Sequence, residues 1–201
     1  MNDPNVDVID TLAGLAPGSP LAAIRDRKPV TREQAQLSYG ALFEPGDMGD
    51  VTMLERFALA TFVSGLHELH QATAFYTAGL ERTNPTRELV TALTEEIVRG
   101  RAVGPYGAFP KGPLSGEDLD GPLYRVAEIH HSVLGPKLTD ALAHVHMLVF
   151  HPRDAKPEAL RSLLDAGWSN AGIVTLSQLV AFLAFQLRAA AGLRTLAATP
   201  A

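Results

Sequence analysis

Apolar residues recur along this chain at three- and four-residue intervals, and turn-forming residues interrupt them every ten to thirty positions. Val8, Ile9, Leu12 and Leu15 are spaced for one helix face, which Pro17-Gly18 ends. Ser19 followed by Pro20 is a cap and first-turn pair for a short helix through about Asp26. Thr31 and Gln34 form a capping-box pattern ahead of a helix that stops before "EPGDMGD". Thr52 and Glu55 form a second such pattern, and one long helix is predicted from there to about Leu80. Asn84-Pro85-Thr86 opens the next helix, with Gly100 as its stop. Residues 104–122 hold five glycines and four prolines, too many breakers for a helix, and leave room for a turn or a short extended pair. Helical spacing resumes at about 122–134, breaks at Gly135-Pro136 and continues to about 150. A short amphipathic helix then ends at Gly167, and Ser169 caps a last long helix to about Leu196. No run alternates with period two, so the expected fold class is all-α.

At 201 residues the chain is long enough for a core that needs no staples. Residues 1–50 read as an N-terminal arm of short helices and 51–201 as the helical domain. The absence of cysteine excludes disulfides, thiol nucleophiles, Fe–S clusters and Cys-based zinc sites. A net charge of −5 without a basic, aromatic-interleaved stripe argues against nucleic-acid binding. "MNDPNVDVID" has no signal-peptide pattern. The apolar window 179–187 is short and closed by Arg188, so no membrane span and a cytoplasmic location are expected.

The run "LRSLLDAGWSNAGIVTLSQLVAFLAFQLRAAAGL" (160–193) resembles the second half of the alkyl hydroperoxidase D-like (AhpD-like), carboxymuconolactone decarboxylase superfamily, most of all its peroxidase-related members. The resemblance extends over 52–196 and implies packed helical hairpins, homo-oligomerisation and an active helix within 52–80. The family's redox motif is Glu, eleven residues, Cys-x-x-Cys, three residues, His. Anchored on "FVS" (62–64) and "AGL" (78–80), the motif falls on Phe57, Leu69, Ala72 and Tyr76, so every one of its positions is replaced. Thiol peroxidase chemistry therefore does not carry over, since neither leucine nor alanine supplies a thiolate. Arg188 and Gly192 match a further family run whose asparagines fall here on Ala184 and Leu187. Arg188 is expected to close an ion pair that fixes subunit packing.

Four groups of residues remain as candidates for chemistry. His67 and His70, around Glu68, could supply two metal ligands, although "HELH" is one residue short of the zinc-protease spacing. On a continuous helix the pair would share a face roughly opposite Leu69, Ala72 and Tyr76. The bland reading is a solvated or interface pair. Five of the seven histidines lie between 130 and 151, where His130, His131 and Glu128 could form an acid–base pocket and His144 and His151 share a helix face. Dispersed polar-face histidines are the competing account. Tyr76 could donate a proton in the old family pocket or simply pack with a satisfied hydroxyl. Tyr106, Phe109 and Lys111 of the Gly/Pro-rich loop could cover a pocket or rest on a neighbouring subunit.

Three function classes follow. The first is a structural or small-molecule-binding homologue without peroxidase activity, a homo-oligomer or a partner of a cysteine-containing relative. The second is a cofactor-independent lyase or isomerase of the decarboxylase type, using His, Glu and Tyr. The third is a histidine-based enzyme with a divalent metal. No cofactor is expected for the first two.

Overall fold

The computed structural model describes residues 7–199, and among these the chain is all-helical: nine α-helices and no strand. The first three are α1 (Val8–Ala13), α2 (Pro20–Asp26) and α3 (Pro29–Phe43), followed by α4 (Met53–Leu66), α5 (His70–Glu81) and α6 (Arg87–Arg99). The last three are α7 (Glu128–Phe150), α8 (Pro157–Asp165) and α9 (Asn170–Ala198).

Helix α4 is the centre of the molecule. Its residues from Glu55 to Leu66 are all buried, as expected of a helix apolar all round. It packs against α5, α6, α7 and α9, and its N-terminus carries the predicted capping box between Thr52 and Glu55. Two glycines permit the closest approaches. A Cβ at Gly65 would stand 2.6 Å from the Ile97 side chain of α6, and one at Gly79 2.2 Å from the Phe57 ring.

The long helix expected over 52–80 is instead two helices folded back on each other. His67 caps α4, Glu68 takes a left-handed backbone conformation (φ 54°), and Leu69 precedes a fresh start at His70. The Glu68 N–H closes on the Gly65 carbonyl at 3.1 Å, so the turn satisfies its own backbone. Nothing in "HELH" marks such a break, because the left-handed position is filled by glutamate where glycine would have announced it.

Helix α3 corrects a second expectation. It begins at Pro29 rather than after a Thr31 cap, since proline's fixed φ suits the first helical position. The caps expected at Ser19 and Ser169 form, and Thr86, in the triplet expected to open α6, caps it as well; each accepts a backbone N–H of the following turn.

The segment expected as an arm packs into the same core. Among its described residues, Val8, Ile9, Leu12, Tyr39 and Phe43 are buried, with α1 against α9 and α3 against α4 and α9. Asp7 and Asp10 gather Arg25 of α2 and Arg32 of α3, with Arg25–Asp7 at 2.7 Å and Arg32–Asp10 at 2.6 Å. The first six residues lie outside the described ones.

By length and composition α9 could cross a membrane, which the shorter 179–187 window does not suggest, because the helix spans 29 residues from Asn170. Its Leu176, Leu179, Leu183 and Leu187 are fully buried against the other helices, the pattern of a core helix.

Candidate functional site

Three of the four positions onto which the resemblance lays the redox motif lie in packed interior. Phe57, Ala72 and Tyr76 are buried and Leu69 is half-buried at the N-terminus of α5. The Tyr76 ring sits 5.2 Å from both Phe43 and Phe75, and its hydroxyl donates to Gln186 Oε1. Burial pushes the phenol well above its ordinary pKa, so it stays protonated near neutrality.

One of the histidines of 130–151, His130, meets carboxylates that the local pattern did not suggest. His130 lies between two of them, Nδ1 2.6 Å from Glu96 Oε1 and Nε2 2.9 Å from Glu95 Oε2. Both ring nitrogens face carboxylate oxygens, which favours the imidazolium form, and the hydrogen bond to Glu96 raises the pKa of His130. Glu96 has no exposed surface, and also accepts the Tyr124 hydroxyl (2.6 Å) and the Ala127 N–H (3.0 Å). Burial would raise its pKa, but the bonds from Tyr124, Ala127 and His130 outweigh it and hold the carboxyl below its usual range.

Glu128 and His131, expected to share this site, do not join it. Both are exposed on the first turn of α7, and His131 turns its Nε2 back to the Val126 carbonyl at 3.2 Å. The sequence did contain one clue to the true partner. Glu96 occupies the apolar stripe of α6, in register with Leu89, Ala92 and Leu93, where a charge requires a partner.

His146 donates Nε2–H to the Gly100 carbonyl (2.9 Å) and stacks on Tyr124 at 4.6 Å. The face expected to unite His144 and His151 does not form, because α7 ends at Phe150 and His151 belongs to the following turn. His151 pairs with Asp154 (3.1 Å) and Pro122 (3.1 Å), while His144 is buried with Nδ1 unpartnered.

The Gly/Pro-rich loop lies over this end of α7. Gly107 and Leu119 form a single antiparallel bridge, Tyr106 stacks on His151 at 5.0 Å, and the Arg153 guanidinium covers Phe109 at 3.8 Å. Lys111 is exposed and reaches none of these groups. All the polar groups of the Glu96–His130 cluster are directed at one another. It is a built hub joining α6 to α7.

A cleft of about 490 Å³ opens on the other side of the loop. Its walls are the loop residues Val103–Pro105, the end of α7 at Leu148–Phe150 with Pro152, and Val180, Ala184 and Arg188 of α9. The three α9 positions are four apart and so present one face. His67, at the break between α4 and α5, also lines the cleft, while its Nε2 is buried without a partner. Arg188 donates only to the Ala184 carbonyl at 3.2 Å, and among the described residues no carboxylate pairs with it. The ion pair expected for Arg188 is therefore not made among the described residues.

Burial lowers the pKa of His67 to about 4, and the Arg188 charge adds to the effect. Because this folded value lies below the unfolded one of about 6.5, protonation opposes folding. Its contribution is absent above pH about 6.5 and grows as pH falls toward about 4. The His67 ring is expected to remain neutral down to pH about 5 in an NMR titration of histidine side chains; a midpoint near the ordinary value would contradict the enclosure described.

His67 and His70 do not form a pair of metal ligands on one face, since the helix breaks between them and His70 is exposed at the start of α5. Among the described residues no three His, Asp or Glu side chains gather closely enough to hold a metal ion. Compared with protein-family models, with curated proteins and with solved structures, the chain matches none.

Proposed function

We propose that this chain is a small-molecule-binding protein, a thiol-free homologue on an AhpD-like scaffold, with its ligand site in the cleft between α7, α9 and the 103–105 strap. The family part of the reading is supported by the run at 160–193 and by the all-helical architecture. The binding part is carried by one observation: Arg188, the one charged residue lining the cleft, has no carboxylate partner among the described residues. A cleft of this volume falls in the range of ligand sites. A bound molecule would supply the missing partner.

The decarboxylase-type reading is less favoured, because the one strong acid–base cluster, Glu96 with His130, is saturated by internal bonds. A thiol mechanism is not available to a chain without cysteine.

Nile red, a neutral apolar dye, tests the cleft without presupposing its charge. Saturable fluorescence enhancement at one dye per chain is expected, with the affinity reduced about tenfold or more when Ala184→Trp fills the cleft. Circular dichroism establishes that the variant remains folded. Equal binding by wild type and the folded Trp variant, or no saturable binding at all, would sink the proposal.

A further inference from the structure

We infer that the cleft takes a carboxylate bearing an apolar chain, with Arg188 holding the carboxylate and Leu148, Phe150, Val180 and Ala184 enclosing the chain. This rests on the reading of the cleft as the ligand site. What it adds is the charge and shape of the ligand.

The argument begins with the charges that line the cleft. Arg188 is the only Asp, Glu, Lys or Arg among the lining residues, and it is not neutralised within the described chain. Glu68, next in sequence to His67, is already directed at Arg101 at 3.5 Å. His67 is neutral near pH 7, so it adds no second charge. One guanidinium suits a single negative charge, and planar oxyanions match the fixed fork of arginine.

Two helix ends bear on the site with the opposite sign. The C-termini of α4 and α7 both approach the cleft, and unpaired terminal carbonyls would repel an anion. Several of them are already occupied. The Val63 and Gly65 carbonyls accept from His67 and Glu68, the Met147 carbonyl accepts from His151, and the Phe150 carbonyl accepts the Tyr106 N–H at 2.6 Å. That leaves Arg188 as the dominant charge at the cleft.

A second depression, beside α3 and α9, shows what a structural arginine looks like in this fold. Arg56 lines it, yet its guanidinium donates to the carbonyls of Leu42 (2.8 Å), Met48 (2.9 Å) and Val51 (3.0 Å). No donor of comparable strength is left there. Arg188 has only one internal bond, and that is to its own helix.

The remaining walls are aliphatic and aromatic, and Val103 on the strap is almost wholly exposed, as an apolar residue would be beside an unfilled groove. The polar end of the site is at α9 and the α4 break. The apolar remainder leads along the end of α7.

Isothermal titration with four eight-carbon probes separates the alternatives: octanoate, octyl phosphate, octan-1-ol and octylammonium. Octanoate is expected to bind most tightly and octylammonium not at all. Arg188→Gln should weaken octanoate about tenfold or more while leaving octan-1-ol within about twofold. Arg161→Gln, on the exposed face of α8, controls for general charge and should change neither. Equal affinity for octanoate and octan-1-ol, tighter binding of octyl phosphate, or an unchanged octanoate affinity in Arg188→Gln would each overturn the carboxylate assignment. Failure of all four probes while Nile red still binds in the cleft overturns it too, and leaves the cleft itself standing. Octanoate binding that survives Ala184→Trp unchanged would instead overturn the site.

Discussion

Replacing Glu96 by alanine is expected to destabilise the protein by about 3–5 kcal/mol, read as a fall of roughly 6–20 °C in thermal midpoint. The carboxylate is wholly buried and gathers three donors, from Tyr124, Ala127 and His130. Alanine would leave the His130 ring with one carboxylate partner, the more exposed Glu95, and would orphan the Tyr124 hydroxyl and the Ala127 N–H. Glu96→Gln retains shape and one acceptor oxygen, so it should cost less, about 1–3 kcal/mol.

The pH dependence has a definite sign. The Glu96 carboxyl is held below its ordinary pKa, so its contribution is present above about pH 4.3 and disappears as pH falls through the folded value. His130 is held above its ordinary pKa, so its contribution is full below about pH 6.5 and disappears as pH rises through the folded value. The stability difference between wild type and Glu96→Ala should therefore be greatest between these two limits, measured by urea denaturation across pH. A thermal midpoint lowered by less than about 3 °C would show that Glu96 is not the hub described.

Why this hub was hard to see in the sequence is a question of range. The caps at Ser19, Thr52, Thr86 and Ser169 were legible because each is decided within a turn, by a side chain and a backbone group three residues away. His130 meets Glu96 across thirty-four residues, through a Gly/Pro-rich loop and a linker whose path no local rule predicts. Residue spacing therefore nominated Glu128, the nearest carboxylate in the chain, and the fold selected one on another helix.

The same limit explains His67. Helical arithmetic is only as good as the continuity of the helix, and a left-handed glutamate at 68 interrupts it with no glycine or proline to warn of the turn. The histidine placed on a polar face with His70 lies instead at a cleft with Arg188, a residue 121 positions later. All-helical character, by contrast, is written in apolar spacing throughout the chain and needs no long-range information.

Tyr76 provides the other large expected effect, and it distinguishes a packing residue from a chemical one. Truncation to alanine should cost about 3–5 kcal/mol, since the ring is fully buried between Phe43 and Phe75. Tyr76→Phe keeps the ring and removes only the bond to Gln186, whose Nε2 already lacks a partner, and should cost about 1–3 kcal/mol. Gln186→Met leaves the Tyr76 hydroxyl buried and unpaired, so it should carry a penalty of similar origin. In the Tyr76→Phe/Gln186→Met double variant both orphans are gone. Its cost should fall short of the sum of the singles by about 1 kcal/mol or more in equilibrium denaturation. Strict additivity would mean that the hydroxyl and the amide do not serve each other. Full stability of Tyr76→Phe would return the hydroxyl to the list of groups available for chemistry, because a buried polar atom that contributes nothing to folding must be kept for another reason.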